Sequence, residues 1–449
     1  MSFQPGDLVE VTAEAIAQGG WCVSRPPGDR VVFVRHALPG ERVLARVTEV
    51  TSKFARADAV DILDPSPDRV EPPCPSARPG GCGGCDWQHA ALPAQRALKQ
   101  AVIREQLQRL AGIDREVTVE PMPGDEGGPG GERIPGLGWR TRVQFAVDAS
   151  GMAGLRAHRS HEVIDIGDCP IAHPGIRDLA IPRRRWAGAN AVEAAVGAAE
   201  REVVVVSPGR PDELPDTGAE SVLSRYGRKL APVRGRPYLT QHAAGREWRV
   251  SAGAFWQVHP AAPDTLVEAV LTALEPKPGD VVLDLYCGAG LFTGSLASAV
   301  GPGGTVIGVE SDEAAVRDAR HNLRDFPWAT IRRGDVGSVL RGPGPKGASK
   351  NAGTRSAGSR GAGARAAALP PARLVVADPP RSGLDRAVIG YLSAARSAAE
   401  RFCYVSCDPA TLARDLGLLL ERGWALEGLR AFDAFPMTHH VECVAWLAR

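Results

Sequence analysis

Long apolar runs are missing from this chain of 449 residues. A membrane-spanning helix needs about 18 or more consecutive apolar residues, so we expect no membrane partner. The first residues, MSFQPGD, lack the basic segment and apolar stretch of a secretory signal. An excess of either charge is also missing, because 53 basic residues face 52 acidic ones. The whole chain is therefore not a polycation, and any contact with nucleic acid must come from local patches.

Cysteines are few and odd in number, since the chain has nine. An odd count without an export signal argues against a framework of disulfides. The sequence therefore indicates a cytoplasmic protein whose reduced thiols are free to bind a metal or to act as nucleophiles. Hydrophobic residues make up 44% of the chain and charged residues 23%. These proportions are typical of a folded globular protein and exclude a mostly disordered chain.

The first part of the chain, residues 1–66, has the pattern of a small β domain. Segments rich in β-branched residues predict strands at 7–12, 31–35, 42–50 and 54–63. Glycine and proline turns separate these segments. Short strands spaced this closely favour a small barrel, and a five-stranded oligonucleotide-binding (OB-like) barrel is one candidate.

A proline-rich linker at 64–73 leads into a central domain, which we place at 67–245. A cluster of cysteines comes first, and an amphipathic helix is predicted over 93–111. The rest of the domain follows no simple period and contains strand-like segments at 139–147 and 162–166. We therefore predict a mixed α+β fold for this domain.

The remaining residues, 246–449, alternate between strand and helix, which is the pattern of a Rossmann-like, doubly wound α/β domain. Strands are predicted at 281–286, 305–310, 374–377 and 402–406. Ser311 is predicted to cap the helix that follows the second of them. Residues 342–368 break the pattern, because they are rich in glycine, alanine and serine and contain basic but no acidic residues. We interpret this segment as a disordered insertion in a loop.

The first strand of this domain ends in a glycine-rich turn, DLYCGAG at 284–290. Its glycines allow the backbone to approach a ligand closely, and Glu310 at the end of the next strand is suited to bind a ribose. The turn alone fits NAD or S-adenosylmethionine, although Thr293 replaces the third glycine of the NAD fingerprint. Asp378, which begins the motif DPPR, is predicted to face the same crevice.

Two residues near the carboxyl terminus are candidates for chemistry. Cys407 follows a strand and precedes a helix, where the helix dipole stabilises a thiolate, the attacking form of the thiol. Glu442 lies in an apolar strand over 441–447, and as a general base it would remove a proton from a substrate carbon. The competing interpretations are an inert buried cysteine and a paired carboxylate. His439 and His440 are expected to be structural or to contact RNA.

In chain order, the motifs DLYCGxG, DPPR, SCDP and HVE closely resemble those of the uracil-5 RNA methyltransferases, and the amino-terminal barrel resembles their TRAM domain. The resemblance covers nearly the whole chain. It implies that S-adenosylmethionine donates a methyl group to carbon 5 of a uridine in RNA. It also implies that Cys407 adds to carbon 6 of the uracil and that Glu442 takes the proton from carbon 5. The cofactor contacts that it implies are Gln257, Tyr286, Glu310 and Asp378. Asp335, after the third strand, is expected to face the adenine.

Four cysteines form a candidate metal site: Cys74, Cys82, Cys85 and Cys169. Four thiolates suit zinc or an iron–sulfur cluster. Three clustered cysteines with a distant fourth resemble the [4Fe-4S] site of family members that methylate ribosomal RNA, so we favour a [4Fe-4S] cluster, with zinc as the alternative. The spacing between the first two is longer here, and the PGG segment at 79–81 would absorb the extra length. We expect a structural role, because uracil methylation needs no electron transfer.

By the same resemblance, the barrel and the four cysteines favour ribosomal RNA over transfer RNA as the partner. A catalytically silent RNA-binding module is the main alternative, and the intact Cys407 and Glu442 argue against it. A cytosine-5 enzyme is disfavoured because Arg381 stands where such enzymes carry a cysteine. The barrel is slightly acidic, so RNA is expected on one basic face or on central arginines: Arg140, Arg142, Arg156 and Arg159. We predict no obligate protein partner.

Overall fold

The computed structural model describes residues 3–26, 30–127, 134–210, 213–227, 229–342, 369–394 and 397–449. The insertion predicted at 342–368 lies, after Gly342, outside the described residues. Among the described helices, none is long and apolar enough to cross a membrane.

The amino-terminal domain is a six-stranded sheet with the strand order β1-β5-β6-β4-β3-β2. Its strands are β1 (Leu8–Thr12), β2 (Ala15–Ala17), β3 (Trp21–Ser24), β4 (Val31–Arg35), β5 (Arg42–Val50) and β6 (Phe54–Asp64). Alternate residues such as Val32, Val34 and Val43 are fully buried in a core that also contains Trp87 of the central domain. Four strands agree with the prediction. The sheet has one strand more than the five-stranded barrel that was one candidate. The two strands without a predicted segment, β2 and β3, form a short hairpin whose pattern is too brief to stand out in the sequence.

The first helix of the central domain is α1 (Leu92–Ala111), which confirms the predicted helix. A proline in its first turn needs no backbone N–H there, and Gly112 ends the helix with a φ of 64°. A seven-stranded sheet follows, in the order β10-β9-β8-β11-β12-β13-β14, and β15 and β16 form a hairpin. The elements are β7 (Val119–Pro121), β8 (Arg142–Val147), β9 (Ala153–Arg156), β10 (Val163–Ile164), α2 (Pro174–Arg177), β11 (Ala191–Val196), β12 (Arg201–Ser207), β13 (Ser221–Tyr226), β14 (Lys229–Arg234), β15 (Tyr238–Ala243) and β16 (Arg246–Ser251).

The carboxy-terminal domain is a doubly wound sheet in the order β19-β18-β17-β20-β21-β23-β22-β7, in which β7 comes from the central domain. One core packs on each face of this sheet, as the alternating pattern predicted. The strands are β17 (Val281–Leu285), β18 (Thr305–Glu310), β19 (Ala329–Arg333), β20 (Leu374–Ala377), β21 (Arg401–Ser406), β22 (Ala425–Asp433) and β23 (Glu442–Ala448). The helices are α3 (Ala262–Leu274), α4 (Leu291–Val300), α5 (Glu313–Asn322), α6 (Val336–Arg341), α7 (Arg386–Ser393) and α8 (Pro409–Leu420).

The cap of α5 differs from the prediction by one residue. Asp312, and not Ser311, is the N-cap, since its carboxylate accepts a hydrogen bond from the backbone of Ala315 at 2.8 Å. The Ser311 side chain turns instead to Glu310, to which its hydroxyl donates at 3.3 Å and its backbone N–H at 2.6 Å. This shift leaves Glu310 free of the helix and facing the glycine-rich turn.

Candidate active site

The predicted site residues lie at one edge of the carboxy-terminal sheet. Strands β17 to β21 run parallel, so their carboxyl ends meet at this edge, and β23 is antiparallel to β21 and therefore begins there. A crevice at the carboxyl ends of such strands is the usual ligand site of this architecture. The structure brings together at this edge the residues Tyr286, Glu310, Asp378, Cys407 and Glu442.

The glycine-rich turn after β17 packs on α5 at one glycine and faces open space at another. Gly290 has a φ of 92°, and a Cβ atom there would lie 3.3 Å from Ala319 of α5. A Cβ atom at Gly288 would meet nothing within 4 Å. The turn is therefore open at Gly288, where a ligand can approach its backbone. Glu310 fixes the turn by accepting hydrogen bonds from the backbone N–H groups of Gly288 at 3.0 Å and Asp312 at 2.8 Å.

A buried carboxylate supports this turn. Asp284 accepts a hydrogen bond from the Thr293 hydroxyl at 2.5 Å, while its other oxygen has no hydrogen-bond partner among the described residues. Burial, together with the charge of Glu310, raises the pKa of Asp284 to about 7. Burial and the charge of Asp284 likewise raise the pKa of Asp378 to about 7. Acidic groups held this way fit a cationic ligand, and S-adenosylmethionine carries its reactive methyl on a positive sulfur.

Two further predicted cofactor residues occupy different settings. Asp335 follows β19 at the same edge and caps α6 by accepting from the Ser338 backbone at 2.9 Å, a bond that lowers its pKa. Its charge acts on Tyr286, whose phenol pKa is raised by burial and by nearby carboxylates. Gln257 lies in the loop between β16 and α3, is 8% exposed, and has no hydrogen-bond partner for its amide within the described ranges. That amide is thus available to a ligand.

Cys407 and Glu442 lie side by side. Ser406 pairs with Cys443 across β21 and β23, which makes Cys407 and Glu442 the next opposed residues. The predicted stabilisation of the Cys407 thiolate was wrong for this structure. Burial and the charge of Glu442 raise the pKa of the thiol to about 12, whereas Arg381 lowers it.

Arg381 is a member of the site that the sequence did not assign. It is exposed, and its charge lowers the pKa of Cys407 and opposes the strong rise that burial and Asp378 cause at Glu442. Its guanidinium also lies 3.3 Å from the ring of His440. The DPPR motif was the available signal, because it ties Arg381 to a strand end at the ligand edge.

The two histidines join the site to the other domains. The His439 ring lies 2.6 Å from the Asp86 carboxylate, which in turn lies 4.0 Å from Arg35 of β4. Burial, followed by the charges of His439 and Arg381, lowers the pKa of His440 to about 3, so its ring is neutral at neutral pH. Contact with the site and with Asp86 explains both residues without a catalytic role.

The four cysteines of the candidate metal site line one cavity of about 20 Å³. The PGG segment lies in a turn that is closed by a hydrogen bond from the Cys82 backbone N–H to the Ser76 carbonyl at 2.9 Å. Despite the longer spacing between Cys74 and Cys82, both residues therefore reach the cavity. Burial raises the pKa of Cys169 to about 11. No group of three or more His, Cys, Asp or Glu residues in the described part of the chain has metal-ligating geometry.

Comparisons with known proteins agree with this architecture. The tRNA (uracil-5-)-methyltransferase family matches residues 371–449, the TRAM domain matches 3–60, and a methyltransferase domain matches 276–340. An uncharacterised RNA methyltransferase of Streptomyces coelicolor is 49% identical over 455 residues, covering 98% of this chain and 93% of the relative. A second, from Streptomyces avermitilis, is 48% identical and covers 98% of both chains.

A solved structure shares the fold. The tRNA (uracil-54, C5)-methyltransferase of Pyrococcus abyssi, solved with S-adenosyl-L-homocysteine, aligns with a TM-score of 0.68 and 22% identity over 98% of this chain and 100% of that chain. The family matches and the relatives, together with this fold, define an S-adenosylmethionine-dependent RNA methyltransferase with a TRAM domain. Within that class, the chain belongs to the uracil-5 RNA methyltransferase family.

Proposed function

We propose that this enzyme forms 5-methyluridine in RNA, with Cys407 as the nucleophile and Glu442 as the base. The observation that carries the proposal is the position of Cys407 directly after β21, opposite Glu442 at the start of β23 and next to the pair Ser406–Cys443. The charges of Asp378 and Arg381 act on both residues. Carbon 5 of uracil is a poor nucleophile and needs activation. A thiol can activate it by adding to carbon 6, and a neighbouring carboxylate can later accept the proton from carbon 5.

In this mechanism Cys407 first loses its proton to solvent, helped by the positive charge of Arg381. Its sulfur then bonds to carbon 6, and the electrons of the 5,6 double bond move toward the carbonyl oxygen at position 4, which makes carbon 5 nucleophilic. Carbon 5 would receive the methyl group that S-adenosylmethionine supplies when bound; the bond from that methyl to the positive sulfur breaks, its electrons stay on sulfur, and neutral S-adenosylhomocysteine would leave. Glu442 then accepts the proton from carbon 5, the double bond re-forms, and the bond between carbon 6 and Cys407 breaks to release the thiolate.

We assign cofactor binding to Gln257, Tyr286, Glu310, Asp335 and Asp378. The support is the open space at Gly288, the unpaired oxygen of Asp284 and the free amide of Gln257. Glu310 has a further role, because it fixes the turn that any ligand here must approach.

We propose that a [4Fe-4S] cluster binds Cys74, Cys82, Cys85 and Cys169 and holds the central domain together, with zinc as the alternative. The shared cavity and the turn at 79–81 support this assignment. The cluster would require reduced thiols, which fits the expected cytoplasmic location. Anaerobic purification followed by iron, sulfide and zinc analysis tests it, since about four irons and four sulfides per chain are expected.

We propose ribosomal RNA as the substrate class. Of the four central arginines predicted to contact RNA, Arg156 and Arg159 are exposed and suited to phosphate binding. Arg142 is not suited, because it donates internally to Ala254 at 2.6 Å and burial lowers its pKa. Arg140 is half-buried beside the cysteine cavity.

The proposal is tested with RNA carrying tritium at carbon 5 of uridine. The anaerobically purified enzyme is mixed with S-adenosylmethionine and with ribosomal or transfer RNA transcripts in separate reactions. We expect release of tritium by the wild type on ribosomal RNA and none by Cys407→Ala. Release on transfer RNA alone would overturn the substrate class, and no release from either would overturn the carbon-5 chemistry.

A further inference from the structure

The loop from Ala434 to Val441 leads from β22 into Glu442 and carries the FPMTHH motif. Most of its fixed contacts come from the central domain, through residues more than 330 positions away in the chain. The loop is therefore shaped by a neighbouring domain.

Gln95 of α1 holds the middle of this loop. Its side chain is fully buried, and its amide oxygen accepts a hydrogen bond from the Met437 backbone at 2.7 Å. Its amide nitrogen donates to the backbone oxygens of Trp87 at 3.0 Å and Ala90 at 2.8 Å. Met437 has a φ of 68°, in the left-handed region that costs a non-glycine residue energy. Such a conformation persists only where surrounding contacts determine it.

Lys99, one helical turn further along α1, holds the start of the loop. Its side chain is also fully buried. Its ammonium group pairs with the buried Asp433 at the end of β22 and donates to the backbone oxygen of Phe435 at 3.0 Å. A buried lysine is costly unless it is paired, so this arrangement fixes both partners.

We propose that Gln95 and Lys99 are positioning residues that place Glu442 for its step of the reaction. Together they fix residues 433, 435 and 437, which leaves a short segment before Glu442. This inference rests on the proposed role of Glu442 as the base. It assigns to α1 of the central domain a part in the last step, the removal of the proton from carbon 5 and the release of Cys407.

The test separates the reaction steps with Gln95→Leu and Lys99→Met. In single turnovers with labelled RNA and S-adenosylmethionine, we expect the protein–RNA adduct to form at nearly the wild-type rate and to decay about tenfold more slowly, as about 1.4 kcal/mol of lost positioning would cause. Gln95→Glu keeps the acceptor for Met437 and is expected to retain more activity than Gln95→Leu. The matched control is Gln106→Leu on the same helix, since the side chain of buried Gln106 hydrogen-bonds, among the residues that the structure describes, to Glu105 and Arg109 and to none of the loop.

A second readout does not depend on the reaction. In the free protein, backbone amide exchange across residues 433–442 should become faster in both variants and stay unchanged in Gln106→Leu. Equal slowing of adduct formation and decay, or unchanged exchange in the loop, would overturn the inference. Absence of any adduct in the wild type would instead overturn the proposed function, while the exchange result would still show whether α1 fixes the loop.

Discussion

At the scale of single residues, the surroundings of Cys407 lower the reactivity of its thiol by raising its pKa. The thiol is half-buried between carboxylates, and its pKa of about 12 leaves little thiolate at neutral pH. Arg381 is the opposing charge, and it lowers the pKa of both Cys407 and Glu442. In the free enzyme the proposed nucleophile, Cys407, should therefore stay mostly a thiol until a substrate changes the local charges.

This balance predicts how fast iodoacetamide modifies Cys407 in the free enzyme. Below its pKa the thiolate fraction rises about tenfold per pH unit, so the alkylation rate should still be rising at about pH 9. Glu442→Gln removes the carboxyl group whose charge raises the pKa of Cys407, and should speed alkylation at about pH 8. Arg381→Met removes a positive charge and should slow it.

Mass spectrometry of the Cys407 peptide, with Cys407→Ala as the blank, measures these rates. Glu400→Gln is a suitable control, because it removes a distant carboxylate that pairs with Arg373. A plateau in the wild-type rate between about pH 7 and pH 8 would contradict the raised pKa.

At the scale of elements, the turn between β17 and α4 explains how the site edge is formed. Gly290 has a φ of 92° and packs against α5, so a side chain there meets both backbone strain and Ala319. We expect Gly290→Ala to lower the free energy of unfolding by about 2 kcal/mol and to weaken cofactor binding. Thermal melting and titration with S-adenosylmethionine measure both effects.

Gly303→Ala is the control for this substitution. A Cβ atom at Gly303 would approach only Gly279, at 4.0 Å, and its backbone is not in the left-handed region. The free energy of unfolding of this variant should lie within about 0.5 kcal/mol of the wild-type value. If the two variants behaved alike, neither the strain nor the contact with α5 would matter at Gly290.

The elements of the doubly wound domain could be predicted from the sequence because its buried parallel strands are continuous apolar runs. Strand β20, for example, has the predicted bounds. The β2–β3 hairpin was missed because three- and four-residue strands leave no period to detect. At the site, strand ends pointed to Cys407 and Asp378. Gln95 could not be recognised, because its partner Met437 is 342 residues away.

At the scale of the whole molecule, all three domains meet at the sheet edge that carries Cys407 and Glu442. The central domain reaches the loop before Glu442, and the TRAM domain reaches the residue after Cys407. Gln18, directly after β2, donates its amide to Asp408 at 3.1 Å, while the other oxygen of Asp408 caps α8 through Thr411 at 2.8 Å. The TRAM domain thus helps to fix the start of α8 beside Cys407, the proposed nucleophile.

This contact predicts that a single charge in the TRAM domain changes the chemistry. Gln18→Glu removes the donor and faces Asp408 with a second carboxylate. A hydrogen bond to a charged group contributes about 1.5–3 kcal/mol, so we expect the single-turnover methylation rate to fall at least about tenfold. Gln4→Glu adds the same charge to the same domain at an exposed position and should leave the rate unchanged.

A double variant distinguishes this contact from a general loss of stability. Asp408→Asn keeps an oxygen to cap α8 and supplies an amide donor to the carboxylate that Gln18→Glu introduces, so the combined variant should regain much of the lost rate. Methylation rates and melting temperatures of the single and double variants provide the comparison. If Gln18→Glu methylated RNA as fast as Gln4→Glu, the TRAM domain would serve the reaction only through RNA binding, and the geometry at Asp408 would not depend on it.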